Sequence, residues 1–234
     1  SLVRPYLTIS SEAEHSRSLA LACEKVDKYE LVDTLSHMPP AARSRVMTLA
    51  KRRNIVNAAE IVRAGVHSQQ ITRLVAEGRL ERVGRGRYRL PGRPMTEHHA
   101  LALAASAVPA GVICLLSALT VHEIGSQLPA EVWLAVRRGT RSPALGNPPL
   151  RIVRFTGAAF THGIEIHRLE GQKIRVYGVA KTLADLFKYR NQIGLEVAIE
   201  ALREAWRDRR FTMDALDRAA RACRVARVMS PYVE

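Results

Sequence analysis

The sequence is short of cysteine, of long apolar runs and of negative charge, and each shortage narrows what the chain is. Its three cysteines, Cys23, Cys114 and Cys223, are odd in number, far apart and set among apolar or small neighbours. That spacing argues against a disulfide framework or a Cys-x-x-Cys zinc site, and makes a reducing cytosol the natural compartment. No apolar run approaches the roughly 18 residues that a membrane-spanning helix needs. The opening stretch, SLVRPYLTISSEAEHS, lacks the charged-then-apolar order of a secretory signal. Internal repeats and low-complexity tracts are also missing. Asp plus Glu is 22 against 36 for Lys plus Arg in 234 residues, a formal net charge of +14. With 47% hydrophobic and 25% charged residues, the composition is that of a folded globular chain. A basic, cytoplasmic protein with no membrane segment is expected, and its first polyanionic partner is nucleic acid.

The excess charge is concentrated. Residues 1–37 carry four basic and six acidic side chains, residues 38–93 thirteen and three, and residues 94–234 nineteen and thirteen. A quarter of the chain therefore holds most of the surplus, which is the pattern of a docking face rather than of general solubility. Breakers fall near the same positions. Pro39-Pro40 closes an acidic arm (1–40), and Pro91-Gly92-Arg93-Pro94 reads as a linker between domains 41–93 and 94–234.

Within the basic block, Ala41–Arg53 places Val46, Leu49 and Ala50 on one helical face. Asn57–Ala64 reads as a second helix, with Asn57 as N-cap, Glu60 three residues on, and Gly65 to turn the chain. A third helix opens at His67-Ser68, with Ser68 as the expected N-cap and Gly78 just past its end. Ile71, Leu74 and Val75 form its inward stripe. Helix, short glycine turn and helix is the helix-turn-helix order. The outward face offers Ser68, Gln69, Gln70, Thr72 and Arg73, donors and acceptors suited to a major groove. The run from Leu80 to Leu90 then reads as two short strands around Gly84-Arg85-Gly86, a wing carrying Arg82, Arg85 and Arg87 for phosphates or a narrow minor groove. Lys51, Arg52 and Arg53 extend the same basic surface. A basic helix alone is more often a solvated face, and Gly-x-Gly alone is weak. Helix-turn-helix followed by a basic wing, in that order and at those lengths, is the compound pattern that points to DNA.

The run AAEIVRAGVHSQQITRLVAEGRLERVGRGRYRLP resembles the N-terminal winged helix of AbiEi-family antitoxins of type IV toxin–antitoxin systems. The stretches GVICLLSALTVHEIGSQLPAEVWLAV, RVYGVAKTLADLFKYRNQIGLEVAIEALREAW and RVARVMSPYVE are similar to that family's C-terminal antitoxin domain. The resemblance covers most of 41–234. It implies a winged helix that binds double-stranded operator repeats and represses its own operon. It implies a C-terminal domain that counters a cognate nucleotidyltransferase toxin without a stable complex. The DNA role falls on the 67–73 helix face and on Arg82, Arg85 and Arg87; the antitoxin role stays with the C-terminal domain as a whole. Residues 1–40 have no counterpart in the family pattern, and the run from Met38 reads equally well as a native start.

In the C-terminal half, the spacing predicts a helix from Thr96, as its cap, to Ala107, and favours helix over strand for Val112–Leu119. Strands are expected at Glu131–Val136, Leu150–Phe155, Ile164–Leu169 and Lys173–Tyr177, and helices at Ala180–Tyr189, Leu195–Arg207 and Met213–Val225 with Thr212 as cap. Strands followed by helices make the whole an α+β protein that ends in a helical bundle.

No complete catalytic motif is present. Gly125-Ser126 lacks the paired aspartates of a nucleotidyltransferase, since the next Asp is Asp185. Glu170-Gly-Gln-Lys173 approaches a nuclease motif with one residue too many and no preceding Asp. Ser117, His122 and Asp185 have no nucleophile elbow to make them a triad. His98 and His99 are adjacent, and His162 and His167 sit in no carboxylate-rich stretch, so neither metal nor other cofactor is expected. The competing readings are a winged-helix protein with a nuclease-like or a ligand-sensing C-terminal domain.

Overall fold

The computed structural model describes residues 40–233 apart from 142 and 144; the acidic arm expected over 1–40 lies outside the described residues, except for Pro40. Helix α1 (Pro40–Arg52) buries Ala42, Val46 and Ala50, the one face that its sequence keeps apolar. Strand β1 (Val56–Asn57) leads directly into α2 (Ala58–Arg63), and Gly65, at φ 84°, turns the chain toward α3 (Ser68–Ala76). The capping residues of α2 are those expected: Glu60 reaches back to accept from the Asn57 amide at 3.0 Å. For α3 the cap differs from expectation. His67 is the N-cap, with Nδ1 accepting from the Gln69 amide at 3.5 Å, and Ser68 is the first helical residue. Strands β2 (Glu81–Gly84) and β3 (Arg87–Arg89) form the wing hairpin. β1 joins it as a third, antiparallel strand, in the order β1-β3-β2. Val46, Val56, Ile61, Ile71, Leu74 and Leu80 meet in one core behind these elements.

The second lobe is a mixed five-stranded sheet covered by helices. After α4 (His99–Ala107), the stretch expected as one helix divides. Val112–Ile113 is strand β4 and Leu115–His122 is helix α5, with Leu115 at φ 47° marking the switch. Both pieces are buried, so hydrophobicity alone did not distinguish them. Strands β5 (Val132–Arg137), β6 (Leu150–Phe155), β7 (Ile164–Leu169) and β8 (Gln172–Tyr177) lie where alternation placed them. The sheet order is β6-β5-β4-β8-β7, with β5–β6 and β4–β8 parallel and the other pairs antiparallel. A short helix, α6 (Ala158–Thr161), precedes β7. The chain finishes with α7 (Val179–Lys188), α8 (Arg190–Ile193), α9 (Leu195–Arg207), α10 (Met213–Cys223) and α11 (Ala226–Val233). Thr212 caps α10 as its sequence predicts, its hydroxyl accepting from the Ala215 amide at 3.2 Å. Small residues let the bundle close: Ala198, Ala201 and Ala205 of α9 and Ala219 and Ala220 of α10 are buried with Leu183, Leu186 and Phe187 of α7.

A charged pair lies inside this core. Lys181 Nζ is 2.5 Å from Asp185 Oδ2, one turn along α7, and their side chains are 1% and 0% exposed. The ammonium also sits over the rings of Tyr177 at 4.1 Å and Phe155 at 4.6 Å, while Cys223 Sγ donates to Asp185 Oδ1 at 3.3 Å. Burial pushes the Asp185 carboxyl above the ordinary Asp value, even with Lys181 beside it. Cys114 and Cys223 are unpaired, buried thiols whose pKa values burial raises.

The two lobes meet through the β7–β8 hairpin. Glu170 and Gly171, both at positive φ, form its two-residue turn, which enters a recess at the C-terminal end of α1. The Glu170 carbonyl accepts from the Asn54 amide at 3.1 Å, and the Gln172 amide group donates to the Ile55 carbonyl at 2.6 Å. The Glu170 carboxylate turns toward the second lobe, accepting from Thr96 Oγ1 at 2.7 Å and from His99 Nδ1 at 2.9 Å. Thr96 is thus not a helix cap; α4 begins later, at His99. Arg93 pins the connecting segment by donating to the Asn54 side chain and to the Lys51 carbonyl. Ile55 of the first lobe is fully buried against Ala102 and Leu103 of the second.

Candidate nucleic-acid interface

Helix α3 stands on the core by Ile71 and Leu74, which leaves Ser68, Gln69, Thr72 and Arg73 exposed on its other side. The first two belong to the first turn, the part of a recognition helix that reaches base edges. Gln70 is half-buried and occupied: its Oε1 accepts from the His67 amide at 3.1 Å, closing a capping box. Arg73 is held one turn on by Glu77, at 3.2 Å. Glu77 also takes Arg43 at 3.1 Å and Arg79 at 3.6 Å, so a single carboxylate gathers three guanidinium groups beside α3. That pairing costs little to rearrange, since exposed ion pairs are worth about 0–1 kcal/mol.

On the wing, Gly86 at φ 67° makes the tight turn that lifts Arg85 into solvent. Arg82 is also exposed, its Nε donating to the Gly84 carbonyl at 3.3 Å. Arg87 is different. It is half-buried, donates to the Arg85 carbonyl at 3.2 Å, and has a pKa lowered by burial, with its Nε left unpartnered. Its side chain therefore supports the wing as well as charging it.

At the end of α1, Lys51 and Arg52 are exposed, while Arg53, just past the helix, is tied to Glu60 by a short ion pair. Arg52 and Arg53 face a cleft that the sequence alone did not reveal, because its walls come from both lobes. Arg52, Arg53 and Arg63 line one side and Arg168, Lys173 and Arg175 the other, around a volume of about 620 Å³. Glu60 is the one acidic side chain among the lining residues. The arrangement offers a run of cations suited to phosphates and leading away from the winged helix.

The pieces of candidate enzymes are each engaged elsewhere. Ser117 Oγ accepts from the Trp133 amide at 2.9 Å, His122 Nε2 donates to the Tyr177 carbonyl at 2.8 Å, and Asp185 is paired with Lys181. Glu170, the nearest approach to a nuclease carboxylate, has a side chain only 1% exposed and committed to Thr96 and His99. The Gly125 amide donates to Glu204 at 2.8 Å. On the second lobe, Arg151 of β6 stacks at 4.4 Å on Trp133, and Arg190 of α8 donates to the Phe187 carbonyl at 2.9 Å. Among the described residues, no helix is long and apolar enough to cross a membrane.

Residues 44–91 match a family described as transcriptional regulator, AbiEi antitoxin. That segment contains most of α1, all of α2 and α3, and the wing, so the match bears out the AbiEi resemblance where the winged helix lies. Among solved structures, the crystal structure of RV2827C protein from Mycobacterium tuberculosis is similar, with a TM-score of 0.55 and 16% identity. The similarity covers 84% of this chain and 79% of that one, and at such identity it is a likeness of fold. None of the curated proteins matches the chain.

Proposed function

We propose the role of DNA-binding antitoxin and autorepressor for this chain, whose residues 44–91 match the AbiEi antitoxin family of transcriptional regulators. The observation that carries this reading is the exposed polar face of α3 beside an arginine-tipped wing, within the matched segment. The helix enters the major groove of operator DNA, with Ser68, Gln69, Thr72 and Arg73 toward the bases, and Arg82 and Arg85 hold the backbone. Gln70 contributes by fixing the helix start, and its capping bond has to open before it reads a base. Lys51, Arg52 and the cations of the interlobe cleft extend the phosphate contacts onto the second lobe. That lobe counters a nucleotidyltransferase toxin encoded beside it, without chemistry of its own: its carboxylates and hydroxyls in candidate catalytic positions are already bonded. Action is in the cytoplasm, where the operator is.

The test is a gel-shift titration of the full chain on the DNA upstream of its own operon, with a scrambled duplex as control. Specific retardation is expected, and loss of toxicity when the chain is co-expressed with the neighbouring nucleotidyltransferase. Equal affinity for both duplexes overturns the repressor role, and undiminished toxicity overturns the antitoxin role.

A further inference from the structure

The fold brings His122 to two side chains that lie far from it along the sequence. His122 is the last residue of α5, while Glu165 and His167 stand two apart on edge strand β7 and so share a face of the sheet. One ligand atom from each lies within 4.8 Å of the other two. We propose that His122, Glu165 and His167 form a binding site for a borderline divalent transition cation, with Zn²⁺ as the best match.

Four observations support the assignment. First, His167 Nε2 and Glu165 Oε2 are 3.2 Å apart. Ligands held at about 2.0–2.1 Å in a tetrahedral shell stand roughly 3.3 Å from each other, so this pair is already at coordination spacing. Second, His122 is prepared as a ligand. Its Nε2–H donates to the Tyr177 carbonyl at 2.8 Å, which places the lone pair on Nδ1. A backbone carbonyl that fixes the tautomer of a ligating imidazole is the usual outer support of such sites. Third, Gly178 leaves the carboxylate room where it stands: a Cβ there would lie 2.2 Å from Glu165 Oε1, and the exposed, flexible side chain would have to turn aside. Fourth, Arg210 holds the backbone of the same turn by donating to the His122 carbonyl at 3.0 Å.

The donor set selects the class of cation. Two imidazoles and one carboxylate suit Zn²⁺ and its neighbours in the first transition row, whereas Mg²⁺ and Ca²⁺ require shells of oxygen. Binding changes no net charge on the imidazoles: the proton that His167 Nε2 now shares with Glu165 moves through solvent to Nδ1, and the freed lone pair takes the metal. Three protein ligands leave a fourth position for water. The site lies in the second lobe, independent of the α3 and wing surface, so it stands whether or not the DNA reading does.

Untagged full chain, stripped with a chelator and dialysed, is titrated with ZnCl₂ by calorimetry, and bound metal is counted by atomic absorption. One Zn²⁺ per chain is expected, with MgCl₂ giving no signal. His167→Ala and Glu165→Gln, at partly exposed positions that the core does not need, each lower the affinity about tenfold or more. His162→Ala, a histidine outside the trio, leaves it unchanged and controls for adventitious binding by the chain's other histidines. Circular dichroism of each variant confirms that it is folded, and His122→Asn is read only if it is. Absence of stoichiometric binding, or binding that survives the His167→Ala, Glu165→Gln double substitution, overturns the site.

Discussion

A methyl group placed on Gly171 would stand 2.5 Å from the carbonyl oxygen of Arg52, in the other lobe. Hydrogen alone fits at that point of contact, so a single hairpin turn sets how closely the two halves of the chain approach.

Gly171→Ala therefore faces two penalties. A positive φ costs an ordinary residue about 1–2 kcal/mol, and the clash with backbone adds to it. Gly139, at φ 88° with nothing within 4 Å, carries the conformational cost alone. Thermal unfolding of the two alanine variants is expected to show a larger fall in Tm for Gly171→Ala, with faster proteolysis in 91–94. Equal Tm losses would mean that the hairpin does not set the contact.

The same turn makes the interface sensitive to acid. Burial raises the Glu170 carboxyl, but the hydrogen bonds from Thr96 and His99 outweigh it and leave its pKa below the ordinary Glu value. A depressed pKa means stabilisation that is fully present above the unfolded carboxyl's pKa and is lost as pH falls through the folded one. Protease sensitivity of the 91–94 segment is expected to rise on acidification through that window. Glu170→Gln should be less stable at neutral pH and show a smaller acid-dependent change; a profile identical to that of the native chain would remove Glu170 from the account.

On the DNA-binding face, Arg85 and Gln69 are expected to separate affinity from specificity. Arg85→Ala, at an exposed wing tip, should weaken binding about equally on all duplexes and reduce the salt slope by about 1. Gln69→Ala should instead cost about 1–3 kcal/mol at one operator position and relax discrimination there. Fluorescence anisotropy across a salt series, on operator and point-substituted duplexes, distinguishes these effects. The assignment fails if the salt slope of Arg85→Ala equals that of the native chain and Gln69→Ala keeps its discrimination.

In the second lobe, Lys181→Met strands Asp185 in the core without its cation. Breaking a buried pair at one end typically costs about 3–5 kcal/mol. Adding Asp185→Leu to Lys181→Met should recover most of that loss, because no charge is then left to desolvate. Urea midpoints for the single and double variants measure this, and a double variant no more stable than the single one would show that the pair is not the main term.

Local signals in the sequence were reliable wherever local physics decided the outcome. Thr212, Asn57 and Glu60 cap where they should, and the alternating strands lie within a residue or two of their expected bounds. The differences arise where distant groups compete for the same atoms. Thr96 has a cap's chemistry, but Glu170 claims its hydroxyl, and His67 takes the cap expected of Ser68. Val112–Leu119 splits because β5 and β8 pair with its first part, a contact that no local pattern announces. Of the DNA face, the residue types were legible and their availability was not: Gln70, Arg73 and Arg87 are engaged by neighbours. The cleft and the His122–Glu165–His167 group were invisible, since each is assembled from separate elements.

Ile55 has its neighbours on the wrong side of the chain's apparent seam. It is fully buried, yet its apolar companions include Ala102 and Leu103, which lie beyond Pro91-Gly92-Arg93-Pro94. Scission within that segment would bare an oily patch on each fragment, together with the unsatisfied amide of Asn54 and carbonyl of Ile55. Fragments made that way would tend to clump or to adhere to unrelated proteins, imitating a partner interaction. Assigning repression and toxin neutralisation to separate halves is therefore cleaner with surface substitutions in the intact chain than with scissors.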